Sequence, residues 1–518
     1  MNNGESAKPQ NLNQEKYYQN LQILGLDLHI PVFPFSAAII ILFVIYALLF
    51  QEDANSIFSS VRSTITVNLD WLFISAGNIF LIFCIYLIFS PLGNVRIGGI
   101  EATPNYSRLS WFAMMFAAGV GIGLMFYGVL EPVNHMLNPP LNIPEGTEEA
   151  KAIGLAATSF HWGLHAWGIY SVVGISLAIS HYNKGLPLTI RYAFYSLFGD
   201  RVSGILGDVI DILAVFATLF GLATSLGLGA QQVAGGLDHV FGIANTPSTK
   251  VCIVLFITAI AIVSVVRGMD KGVKLLSEIN IALAFALFCF VLIVSPTLAV
   301  ITNTLQNFAD YLYYLIPLSS PVERTDISFY HDWTIFYWAW WIAWSPFVGM
   351  FIARVSKGRT VREFMVCALL APSSACVIWM SVFGGSAFIQ YFDQGYLQVI
   401  EAVQESNIEL SLFRFLELMP YAKITSVFAL LLIIIFFVTS MDSGSLVIDT
   451  ITAGGKIDAH VSQRVFWCTF EGLTAIALLL GGGLTALQAA SLITGLPFLF
   501  VLLLMIISLR QGLLTEPK

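Results

Sequence analysis

Charge is what this sequence has least of. Only 11% of its 518 residues are Asp, Glu, Lys or Arg, while 57% are hydrophobic. A soluble chain carries about 25% charged residues, so an ordinary soluble protein is excluded. The net charge of −8 says little about partners, because a membrane protein sorts its charge by side. Cysteine is sparse too. Cys84, Cys252, Cys289, Cys367, Cys376 and Cys468 lie in or beside apolar runs with no C-x-x-C spacing, and they read as small buried apolar side chains. No cleavable leader is expected, because the first 30 or so residues are polar and Asn/Gln-rich, without an apolar core and cleavage site. No span holds a nucleophile, base and metal constellation, so the chain does not read as an enzyme.

Long apolar runs are what it has in abundance. About twelve recur down the chain, centred near residues 43, 80, 120, 167, 220, 258, 288, 342, 376, 434, 473 and 497, each near the ~20 residues that cross a bilayer. Lys and Arg concentrate in cytoplasmic loops, which tests the number. With the N-terminus inside, Arg62, Lys151, Lys250, Arg324, Arg414 and Lys423 fall outside, and the other 18 of the 24 basic residues fall inside. An extra or missing span would scramble that sorting. Both termini are therefore expected in the cytoplasm. Residues 301–333 are expected to hold an amphipathic surface helix, and 391–424 a helical extracellular insertion. Both read as structural.

Two spans carry faults in their helices. The third holds FAAGVGIGLMFYG, with Gly119, Gly121 and Gly123 alternating. One small-x-x-x-small pair serves packing, but three alternate glycines sacrifice more helix propensity than packing needs. Unwound backbone at membrane depth survives where it lines a cavity or is buried by protein. In the eighth span Pro346 removes the hydrogen bond to the carbonyl of Ile342, so a kink and a free carbonyl are expected there. Breaks in corresponding places of two halves point to an inverted-repeat transporter with a midplane site.

Aromatic residues mark what that site faces. Five of the eleven tryptophans fall in WTIFYWAWWIAW, between Trp333 and Trp344. In FHWGLHAWGIY of the fourth span, Trp162, Trp167 and Tyr170 lie within one face at about 100° per residue. Trp341 and Trp340 share a face with Trp344. Trp333, at the mouth of its span, suits an interfacial belt; the deeper rings suit a box. A quaternary ammonium has no N–H to donate, and aromatic faces are its best partners, at about 2 kcal/mol or more when desolvated.

Three polar signals remain. His161 and His165 have the i, i+4 spacing of a zinc helix but lack an intervening Glu and a third ligand. Glu471 is a mid-span carboxylate, a functional candidate by position with no partner visible in the sequence. Thr439 and Ser440, in FFVTSMDSGS, offer adjacent hydroxyls that could serve a sodium ion or simply bond back to their own helix.

Together GVGIGLMFYGVLEP, FHWGLHAWGIY, LFGLATSLGLGAQQ, WTIFYWAWWIAWSPFVGMFIARVSKGRTVREF and FFVTSMDSGS resemble the betaine/carnitine/choline transporter family from about residue 30 to 508. The resemblance implies an all-α leucine-transporter-type fold of twelve spans in a 5+5 inverted repeat, with two added N-terminal helices, assembled as a trimer. It implies a cytoplasmic tail at 1–35, accessory helices at 36–110, repeats at 111–300 and 334–508 joined through 301–333, and a short tail at 509–518. Trp162, Trp167, Tyr170 and Trp341 match the family's cage, Trp338, Trp340 and Trp344 match rings along the route, and 119–123 matches the unwound segment. A sodium site corresponds to carbonyls of Ala117, Val120 and Phe436 with the hydroxyls of Thr439 and Ser440. A second site, at Ala118, Thr218, Ser225 and Phe347, is incomplete, because Leu222 stands where the family has a second threonine.

The expectation is a sodium symporter for a zwitterionic onium compound such as glycine betaine, using one or two sodium ions and no organic cofactor. Choline-type members resemble this chain but carry Asp at the position of Gly123, so a neutral zwitterion is favoured here. The alternatives are a sodium-independent betaine/carnitine-type exchanger, whose arginine is missing from LSEINIALA, a choline transporter, or a channel. The short C-terminal tail does not match the osmosensing members.

Overall fold

Apolar runs in hydrocarbon must satisfy their own backbone N–H and C=O groups, so they close into helices. A computed structural model describes residues 20–23, 25–119, 121–267, 273–322, 324–456 and 460–518. Among these the fold is all-α apart from one isolated bridge, Arg96 with Thr360, and one hairpin, β1 (Leu21–Ile23) with β2 (Leu26–Leu28). Ten helices are long and apolar enough to cross a membrane. They are α1 (Val32–Leu49), α2 (Gln51–Phe89), the pair α5 (Glu148–Trp162) and α6 (Leu164–Ala178), α8 (Ile205–Phe241), α9 (Pro247–Arg267), α10 (Val273–Val294), α12 (Ile335–Val355), α13 (Val361–Phe392), α16 (Ala422–Thr452) and α18 (Gly483–Leu514). The two remaining expected spans differ from these. The third is divided into α3 (Arg108–Gly119) and α4 (Ile122–Leu137), and the eleventh, α17 (Val461–Leu480), carries Arg464 and Glu471.

The connections follow local chemistry. Thr147 accepts from Ala150 N to cap α5, and Thr360 with Glu363 forms a capping box that starts α13. Gly242, at φ 71, ends α8 in the left-handed conformation that glycine adopts without a Cβ penalty. Helix α7 (Tyr195–Phe198) lies between spans. Residues 301–333 begin inside α11 (Thr297–Ser319), which exposes Leu298, Leu305, Leu312 and Ile316 and turns Asn307 and Tyr311 inward. The insertion after α13 folds as α14 (Gln398–Gln404) and α15 (Ser411–Glu417).

Burial separates the outer helices from the inner ones. Helices α2, α9 and α10 expose Ile82, Phe256 and Phe285, the apolar outer surface that lipid contact requires. Every residue of α6 after Leu164 is buried. Helix α12 is buried on nearly every face, between α6, α8 and α18. These inner helices carry the rings.

One expectation fails here. Helix α12 runs unbroken through Pro346. The Ile342 carbonyl that proline leaves without its amide accepts the Ser345 hydroxyl at 2.7 Å in its place. The break that does accompany the third span lies in the fourth, at Gly163 between α5 and α6. No space is left for a side chain at Gly163: a Cβ would stand 2.4 Å from the Tyr311 hydroxyl. That hydroxyl accepts the amide of Leu164 at 2.8 Å, which satisfies a donor freed at the start of α6.

Candidate functional site

The three interrupted or inner elements meet at one cavity. Gly121, Ile122 and Gly123 at the start of α4 line it, with Trp162 from the end of α5, Trp167 and Tyr170 from α6, and Trp340, Trp341 and Trp344 from α12. Ala166, Ser225, Val348, Cys376 and Ser440 complete the wall, and no Asp, Glu, Lys or Arg is among the lining residues. A neutral aromatic site of this kind suits a ligand with no net charge.

The rings meet at right angles. Trp162 and Trp341 stand edge to face with centroids 4.9 Å apart, Trp167 and Tyr170 at 5.4 Å, and Tyr170 and Trp341 at 6.1 Å. Trp340 stacks on Trp341 at 4.8 Å. Their polar edges are tied to backbone. Trp341 Nε1 donates to the His161 carbonyl at 2.8 Å, and Trp340 and Trp344 both donate to the Gly221 carbonyl of α8, at 3.2 and 2.9 Å. With each N–H satisfied behind it, a ring can offer its face to the cavity. The space measures about 30 Å³, room for a water-sized group.

Backbone supplies a complementary end. Gly121 is extended, at φ −154 and ψ −165, and serves as the N-cap of α4 without a side-chain bond. The first amides of a helix have no partner within it, and they carry the positive end of the helix dipole. Gly123 must stay small: a Cβ there would lie 2.3 Å from Cη2 of Trp162, whereas one at Gly121 meets nothing within 4 Å. Gly119 is the last residue of α3, two positions before Gly121.

Other expected residues are placed differently. Trp162 is not on one continuous helix with Trp167 and Tyr170; the Gly163 break separates them, although all three face the same space. Trp338 turns away from the cavity toward α2, where a Cβ on Gly77 would meet its Nε1 at 2.5 Å, and it stacks on His165 at 5.3 Å. His161 and His165 do not face a common point: His165 Nε2 pairs with Asn78 at 2.9 Å, and His161 Nδ1 with Glu131 at 2.6 Å.

For sodium, Thr439 Oγ1 lies 3.1 Å from the Phe436 carbonyl and 3.0 Å from that of Ile435, bonding back to its own helix, while Ser440 lines the cavity. These oxygens are hard, neutral donors of the type an alkali cation accepts. Val120 lies outside the described residues, and only the backbone helix is described at Ala117 and Ala118. In the second set, Ser225 lines the aromatic cavity, Thr218 donates to the Ala214 carbonyl at 2.7 Å outside the lining, and Phe347 packs edge-on against Trp344 at 5.3 Å. The two hydroxyls are not brought to one cavity.

Sequence reasoning missed Glu131. It is fully buried, as Glu471 is. One oxygen faces His161 and His135, at 2.6 and 3.3 Å, and the other accepts Trp162 Nε1 at 2.8 Å and the Tyr337 hydroxyl. A carboxylate beside Pro132 in GVLEPVNH was a legible signal, since buried acids in spans are held for a reason. Glu131 fixes Trp162 directly, and it fixes Trp341 through His161, whose carbonyl Trp341 binds.

Comparison with known proteins bears on this geometry. The family model described as betaine/carnitine/choline family transporter matches residues 31–518. A glycine betaine/proline/choline transporter of Vibrio parahaemolyticus is 54% identical over 510 residues, covering 95% of this chain and 92% of that protein. Glycine betaine transporter 1 of the same organism is 51% identical, covering 96% of each chain. The glycine betaine transporter OpuD of Bacillus subtilis is 39% identical, covering 92% of each.

Proposed function

From the premise that this chain belongs to the betaine/carnitine/choline transporter family, we propose that it imports a zwitterionic quaternary-ammonium or sulfonium compound such as glycine betaine, coupled to sodium. The supporting observation is single: Trp162, Trp167, Tyr170 and Trp341, from three helices, surround one neutral cavity that also contains the N-terminal end of α4. The onium methyls would lie against the ring faces, which attract a desolvated cation by about 2 kcal/mol or more. The substrate carboxylate would take amides at the α4 N-terminus. Both ends of a compact zwitterion are then met without a charged side chain. The names of the relatives, glycine betaine transporters among them, agree with this chemistry.

Sodium would bind between α3 and α16, using Phe436, Thr439 and Ser440 with carbonyls of Ala117 and Val120. Bound there, against the unwound segment, it would hold the glycine-rich backbone ready for substrate. Closure of the rings around the onium group would then carry the site from outward to inward access. The working unit would be a homotrimer in the inner membrane with both termini cytoplasmic. Uptake of radiolabelled glycine betaine into proteoliposomes, with and without an inward sodium gradient, tests the proposal. Gradient-driven accumulation is expected. Unchanged uptake without sodium would favour exchange instead, and preferential uptake of choline would overturn the assignment of a zwitterion.

A further inference from the structure

Helices α4 and α5 bring Glu131, His135 and His161 into one fully buried cluster in which one ligand-type atom of each lies within 4.8 Å of the others. We propose that Glu131 Oε1, His135 Nε2 and His161 Nδ1 form a binding site for a zinc-type divalent ion, and that the ion, once bound, arrests the cage. The ligand set is two imidazoles and a carboxylate, a combination that zinc accepts with one position left for water. Zinc bonds of roughly 2.0–2.1 Å put tetrahedral ligand atoms about 3.4 Å apart. Glu131 Oε1 and His135 Nε2 already stand at 3.3 Å; His161 Nδ1, at 2.6 Å from the same oxygen, must withdraw by less than an ångström. The metal would take the place of the hydrogen-bonding protons on His161 Nδ1 and His135 Nε2, each neutral ring then carrying its single proton on the other nitrogen.

The supporting shell is also in place, which separates this cluster from a chance meeting of polar groups. Metal-binding histidines and carboxylates are held by a partner at the atom that does not bind metal. His161 Nε2 is paired with Thr334 Oγ1 at 3.0 Å, and Glu131 Oε2 accepts Trp162 and Tyr337; the Asn134 amide nitrogen lies 3.5 Å from His135 Nδ1, so this amide must turn its oxygen to the ring when zinc holds Nε2. The cluster also adjoins a second cavity, of about 570 Å³, that the buried His135 lines with Asn134 and Trp333. The ion would thus sit between that cavity and the cage, tied through Glu131 to Trp162. That it stops uptake rests on the transport proposal; that it binds does not.

The test begins with binding to the purified full-length protein, by zinc titration against a chromogenic chelator and by X-ray absorption at the zinc edge. One zinc per chain with a nitrogen/oxygen shell containing two imidazoles is expected. His135→Ala should weaken binding by more than the roughly 10–100-fold that loss of a supporting residue costs. His135→Cys should restore it and add one sulfur to the shell, which controls for misfolding in the alanine variant. No stoichiometric zinc, sulfur ligation in the unmodified protein, or equal affinity in His135→Ala would each overturn the site. In proteoliposomes, external zinc should inhibit uptake by the wild type at concentrations that spare His135→Ala; binding with undiminished uptake would overturn the arrest.

Discussion

Replacing Trp341 by alanine tests the cage most sharply among single substitutions, because this ring touches both halves of it. Trp341 meets Trp162 at 4.9 Å, Tyr170 at 6.1 Å and Trp340 at 4.8 Å. Its loss removes one desolvated cation–π face, about 2 kcal/mol, and at 1.4 kcal/mol per factor of ten that is a roughly 30-fold rise in the apparent Km for glycine betaine. A second effect acts on stability rather than on substrate. The His161 carbonyl loses its donor, and an unpaired buried acceptor costs about 1–3 kcal/mol. Trp341→Phe separates the two: it keeps a ring face and loses the N–H, so it should share the stability loss while its Km rises far less. Concentration-dependent uptake in proteoliposomes gives Km, and thermal unfolding in detergent gives Tm. A well-folded Trp341→Ala protein with Km within about threefold of wild type would remove Trp341 from the site and refute the reasoning.

Other substitutions probe the remaining parts. Gly123→Ala forces a methyl to within 2.3 Å of Trp162; overpacking of this kind costs about 1–3 kcal/mol, and betaine affinity measured by uptake should fall accordingly. Gly123→Asp should lose betaine uptake more than choline uptake, and an unchanged ratio between the two would sink the charge argument. Thr439→Ala with Ser440→Ala should raise the sodium concentration for half-activation while leaving betaine binding at saturating sodium nearly intact; a parallel fall in both would show the ion is elsewhere. Glu131→Gln keeps an acceptor for Trp162 but loses the charge, whereas Glu131→Ala leaves Trp162, Tyr337 and His161 without it. Km should therefore rise more in the alanine variant, and equal Km in both would show that Glu131 does not position the rings.

Much of this was legible in the sequence, and the gaps have physical causes. Apolar length located the ten helices long and apolar enough to cross a membrane and, beside them, α17, where Arg464 and Glu471 dilute the apolar run. Alternating glycines located the break between α3 and α4 because helix propensity is a local property. The break at Gly163 was not legible in the same way: one glycine among HWGLH reads as ordinary packing, and what enforces it is the Tyr311 hydroxyl, 148 positions away in the chain. The direction of each ring on α12 was hidden for a different reason. A helix buried on nearly all faces has no polar side to show which way it points, and the family resemblance alone grouped Trp338 with the rings that line the route. Gly77 on α2, where Trp338 seats, decides otherwise. At Pro346 the sequence showed a lost amide, but the neighbouring Ser345 supplies the replacement bond.

The central claim is that the rings hold a positive charge and not merely an apolar knob. Equilibrium competition against radiolabelled glycine betaine, using its carbon isostere 3,3-dimethylbutanoate, tests this directly, since shape and carboxylate are kept and only the onium charge is removed. The account predicts that the isostere competes at least about tenfold more weakly, the equivalent of losing 1.4 kcal/mol of cation–π attraction. Competition equal to that of unlabelled betaine would contradict it.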